Sequence, residues 1–161
     1  MEKFQEVREK ANKHIHIADH MLSVTYPLVK DNKLLLAVIE NIFLAYTNII
    51  GSLLYYERVF KRIPPFQENF ESKFIMFKET CVLKYKIDRS YVSDIQDLKN
   101  IILAHRKSPV EFSRRDRFII CSNNYKLETI SVSELKKHID KAKLFIQEII
   151  NITSKDEGLF R

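Results

Sequence analysis

The sequence predicts an all-α fold, an antiparallel bundle of about five helices with one short β-hairpin, about residues 117–130, set before the last helix. Three observations predict it. Glycine occurs twice and proline four times in 161 residues, so chain punctuation is sparse and the elements must be long. Apolar residues recur every three or four positions in five separate stretches, the period of a helix with one buried face. Only one stretch, late in the chain, switches to alternation.

The elements follow in order. Phe4, Val7, Ala11, Ile15, Ala18 and Leu22 define a first helix over about 2–25, which Pro27 is expected to stop. Asp31 or Asn32 can cap a second, whose broad stripe runs from Leu34 through Ile42, Ile49 and Tyr56 to Phe60 before Pro64 and Pro65. Asn69 precedes Phe70, Phe74, Phe77 and Cys81, a third helix fading near Tyr85 whose aromatic stripe is expected in the core. A fourth starts at Ser90 and carries Tyr91, Ile95, Leu98, Ile102 and His105 on one face.

Beyond Ser108 and Pro109 a basic loop leads to the apolar run Phe118 to Cys121. The turn residues Ser122 to Asn124 and the alternating Tyr125 to Ile130 follow, which together read as a hairpin. Ser131 with Glu134 forms a capping box opening the last helix, on Leu135, Ile139, Ala142, Phe145, Ile149 and Ile152. Residues 1–153 are read as one domain and 154–161 as a polar tail.

Composition bounds the function. A chain 45% apolar and 30% charged is that of a folded domain, and Cys81 and Cys121 stand in no metal-binding spacing. A reducing cytoplasm is the expected setting. Leu34 to Tyr56 carries a single charge, Glu40, over 23 residues, the length of a membrane span. Glu40, Asn41, Thr47 and Asn48 form a polar seam that suits the central helix of a bundle better, so no membrane partner is expected.

The net charge is +6, and Lys99 to Arg117 alone contributes +4. A patch of one sign points to an anionic partner such as nucleic acid. Within it, Lys99, Asn100, His105 and Arg106 are candidate catalytic residues. A histidine among cations is suited to proton transfer near neutral pH, and the cations to holding a phosphate. Lys107, Arg114, Arg115 and Arg117, interleaved with Phe112, Phe118 and Tyr125, are candidate RNA-binding residues, although the phenylalanines serve equally to seal the hairpin on the bundle.

The run from Lys99-Asn100 to His105 resembles the signature of the HEPN superfamily, an arginine often followed by asparagine and then a histidine five to seven residues on, near a helix end. The resemblance implies a helical domain that pairs as a homodimer and binds RNA or nucleotides. In many members it implies metal-independent RNA cleavage with no cofactor, the histidine and arginine of two subunits meeting at the scissile phosphate. Lys99 stands where the family has arginine, keeping the charge but not the planar fork that grips phosphate through two hydrogen bonds.

Two other classes stay open. One is a non-catalytic interaction module, such as a toxin–antitoxin partner or a scaffold, whose basic loop docks a partner protein. The other is a metal-dependent bundle using His16, Asp19 and His20, since residues four apart share a helix face and two histidines there can grip a transition metal.

Overall fold

The apolar stripe of the second helix becomes the axis of the bundle. In the computed structural model, which describes residues 1–107, 110–114, 117–121 and 127–155 (backbone only from 107 to 129), α1 (Lys3–His20) lies along α3 (Lys33–Val59) over most of its length. Small residues let the two approach: Ser52 Oγ donates to the carbonyl of Phe4 at 2.8 Å, and Gly51 faces the Val7 side chain. Around α3 are packed α4 (Phe70–Met76), α6 (Arg89–Lys107) and α7 (Val132–Ser154). Leu35, Ile39, Ile42, Tyr46, Ile49 and Leu53 of α3 are all fully enclosed. Among the described residues, the one helix long and apolar enough to cross a membrane is α3, a core helix of this bundle.

Of the polar seam of α3, Glu40 is exposed and the other three residues are satisfied internally. Asn41 donates to its own helix at Ala37 and faces His14 Nδ1 of α1 at 3.1 Å, while Thr47 and Asn48 donate back to the carbonyls of Phe43 and Leu44.

Three helix N-termini carry the predicted cap residues, and of the capping box predicted at Ser131 and Glu134 the Ser131 bond is present. Asn69 Oδ1 accepts from the Ser72 amide at 2.8 Å, Asp31 Oδ1 from that of Lys33 at 3.0 Å, and Ser131 Oγ from that of Glu134 at 3.2 Å. Replacing Ser131 by Ala should lower stability by about 1 kcal/mol, read as a shift of the urea midpoint at unchanged slope. An unchanged midpoint would show that the cap is not needed.

Two sequence expectations are corrected. Pro27 does not stop the first helix, which passes through a π turn (Met21–Thr25) into α2 (Tyr26–Val29) and ends at Lys30, in the left-handed conformation at φ 56°. The wider π turn relieves the clash a proline ring makes with the carbonyl four residues back. The other concerns the basic loop, whose Val110–Arg114 forms a strand, β1, beside β2 (Arg117–Cys121) and β3 (Leu127–Ser131). The sheet is antiparallel with order β1-β2-β3, so the predicted hairpin is its β2–β3 half. A second π turn (Phe77–Cys81) joins α4 to α5 (Val82–Lys84).

The layers close on one ring. Phe145 of α7 is fully buried, with Tyr46 of α3 at 5.7 Å, Phe77 at 6.0 Å and Tyr91 of α6 at 4.5 Å between ring centres. The sheet sits at one end, with β2 touching α3 and α6, β3 touching α7, and Ile130 buried.

Candidate nucleic-acid interface

The last two and a half turns of α6 carry the four candidate catalytic residues, but helix geometry separates them. Residues six apart on an α-helix diverge by about 120°, whereas residues seven apart nearly superpose. Lys99 and His105 therefore leave α6 on different sides, and Lys99 and Arg106 on the same side.

The surroundings follow from that. Lys99 turns toward α3 and α4, its ammonium 4.9 Å from the ring centre of Phe70 and 5.6 Å from that of Phe43, with the Glu71 carboxylate at 3.7 Å. Asn100 accepts a hydrogen bond from Gln96 Nε2 at 3.0 Å, one turn earlier on the same helix. His105 is half-buried at the end of the apolar stripe formed by Leu98 and Ile102, and Arg106 is exposed. Within one chain, then, the lysine and the histidine do not converge on a common point.

The arginine segment is placed by strand register. Arg114 and Arg117 are opposed across the end of the β1–β2 ladder, separated in sequence only by Arg115 and Asp116. On its other side Arg117 is opposed to Ser131, the residue that caps α7. Two guanidinium-bearing positions thus share one end of the sheet with the N-terminus of a 23-residue helix, where peptide dipoles present partial positive charge. A cleft of about 220 Å³ adjoins this end, between Leu22, Tyr26 and Pro27 on one side and Val132 on the other, with Lys30 and Lys136 in its wall. Arg115 and Tyr125 lie outside the described residues, as do the side chains of Lys107, Arg114, Arg117, Phe112 and Phe118.

The alternative histidine cluster does not assemble. His16 and His20 are exposed, while Asp19 accepts from Lys143 of α7 at 2.5 Å and from Ser23 at 3.1 Å. The Lys143 bond holds its carboxyl below the ordinary aspartate range. Among the described residues, no group of three histidine, cysteine, aspartate or glutamate side chains is arranged to hold a metal ion.

Sequence reasoning missed the aromatic partners of Lys99. Phe70 belongs to the aromatic stripe read as core and Phe43 to no predicted stripe, and both are half-buried at the rim of the bundle. A lysine falling on the same helix side as Arg106 was the available signal. Also missed was Glu57, a buried carboxylate among Lys84, Tyr85 and Arg62 that ties the end of α3 to the segment after α4. Comparison with protein-family models, with curated proteins and with solved structures finds no match for this chain.

Proposed function

We propose that this chain is a HEPN-like RNA-binding domain of the cytoplasm, with its site on the end of α6 and the adjoining sheet. The observation that carries the reading is the opposition of Arg114 and Arg117 at one end of the β1–β2 ladder. Arg106 stands at the opposite end of that ladder in sequence, where α6 leads into β1. A five-residue strand spans about 14 Å, so the cations are spread over a length of backbone that several phosphates occupy. Guanidinium groups suit that partner because their planar donors match phosphate oxygens. Binding is favoured over cleavage, because Lys99 carries the charge of the family arginine without the planar fork that grips a phosphate through two hydrogen bonds.

The test is RNA association of the purified, EDTA-treated chain at two salt concentrations. Replacing Arg114 and Arg117 together by Ala should weaken binding about tenfold or more and lower the salt dependence by about 0.7 for each single-strand phosphate that is no longer neutralised. Affinity unchanged in that variant, or no association with RNA at all, overturns the reading. The His105→Ala variant, assayed for cleavage alongside, should match wild type; cleavage that disappears with His105 would make the chain a metal-independent ribonuclease instead.

A further inference from the structure

Lys99 belongs to a larger arrangement on the α3–α4 side of the bundle. Phe70 stacks on Phe74 at 5.2 Å and tilts against Phe43 at 4.9 Å, with Lys99 over the rings of Phe70 and Phe43 and Lys78 4.5 Å from the centre of Phe74. One turn along α4, Lys73 extends to Tyr55, 5.4 Å from its ring centre, and Lys3 reaches the same ring at 5.7 Å. Tyr55 in turn packs against Phe66 at 5.6 Å. The first turn of α4 thereby links two aromatic groups, supplying Phe70 to one and Lys73 to the other.

Three features distinguish this surface from ordinary core. Phe43, Tyr55, Phe66 and Phe70 are half-buried, leaving aromatic area at the surface. Each group is attended by lysine ammonium groups, which are attracted to ring faces but make stronger contacts with anions. The carboxylates that hold two of these lysines, Glu68 with Lys73 at 3.1 Å and Glu71 with Lys99 at 3.7 Å, are 69% and 70% exposed while the lysines are 16% and 21% exposed, and Glu68 also accepts from the Tyr55 hydroxyl, so water reaches each pair from its carboxylate side.

We infer that this aromatic and lysine surface is a stacking platform for single-stranded RNA, continuing the track that begins at the arginine end of the sheet. The inference rests on the RNA-binding reading and specifies its substrate. Bases stack on Phe66, and on Phe70 once Lys99 moves from its ring to a phosphate, while Lys73 and Lys99 exchange their carboxylates for phosphates. Arg106, about 10 Å further along α6 on the side of Lys99, joins the platform to the sheet. Single-stranded rather than duplex RNA is the fitting partner, because a paired base has no free face to place on a ring.

The experiment is fluorescence anisotropy with a labelled oligouridine of about twelve nucleotides and a duplex RNA of equal length, comparing wild type, Phe66→Leu, Phe70→Leu, Lys73→Ala and Arg114→Ala with Arg117→Ala. Each phenylalanine change should weaken oligouridine binding about tenfold without altering its salt dependence, and leave duplex binding unchanged. Lys73→Ala should lower the salt slope by about 0.7. Wild-type affinity in both phenylalanine variants, with binding abolished in the arginine variant, overturns the platform but keeps the RNA-binding reading. No binding by wild type overturns both. Should Phe70→Leu lose its helical circular dichroism, photo-cross-linking of 4-thiouridine RNA to the wild-type chain decides: adducts on the segment 66–73 support the platform, and adducts confined to the sheet overturn it.

Discussion

Replacing Phe145 by Ala should cost about 4 kcal/mol and lower the midpoint of thermal unfolding by about 10 °C. Phe145 is fully buried in the middle of α7, and Tyr46, Phe77 and Tyr91 reach its ring from three other parts of the bundle. Truncation removes the transfer free energy of the ring and leaves a cavity that three aromatic side chains, each anchored on its own helical segment, can only partly fill. Domains of this kind are stable by about 5–15 kcal/mol, so the loss is a large share of the total. Phe145→Leu, which keeps most of the volume, should cost about 1.5 kcal/mol. Equal unfolding curves for the Ala variant and wild type would mean that α7 is not held by this contact.

Glu57 gives the second large effect, for a different reason. Its carboxylate is 1% exposed, accepts from Lys84 Nζ at 2.6 Å and from the Tyr85 hydroxyl, and has Arg62 Nη1 at 3.6 Å. A buried carboxylate is tolerable only with such partners, and removing its charge strands the groups arranged around it. Lys84 and Arg62 are 43% and 38% exposed, so water can take up their charges again. The cost of Glu57→Gln should therefore sit below the range for a fully buried pair, at about 2 kcal/mol. Lys84→Met should cost less than about 1 kcal/mol, because Glu57 keeps its two other partners. Chemical unfolding of the two variants measures the difference, and a larger loss for Lys84→Met would invert the assignment of which group is buried.

Much of the fold is legible along the chain because helix periodicity and capping are local. The stripe Leu135, Ile139, Ala142, Phe145, Ile149 gives α7 its buried face, and Ser131 its start. Helix ends are harder to place where no glycine marks them. Lys30, Lys61 and Lys86 occupy the left-handed region at φ 53–56°, a conformation the identity of lysine does not announce. The strand Val110–Arg114 is hidden by its own charge, which suggests a loop, although Val110 and Phe112 alternate with polar residues as a strand requires.

The sequence by itself determined the number of continuous helices, three of their N-terminal caps, the β2–β3 hairpin and the basic segment, since each depends on residues within a few positions of one another. Only the tertiary structure decided what those charges face. Lys99 and His105 are neighbours in sequence that helix geometry turns apart. Lys99 and Phe43, 56 positions distant in the chain, meet because α6 packs on α3. Asp19 is held by Lys143 through a contact that joins α1 to α7. Pairings of this kind depend on which helix faces are buried together, and no local pattern of residues records that choice.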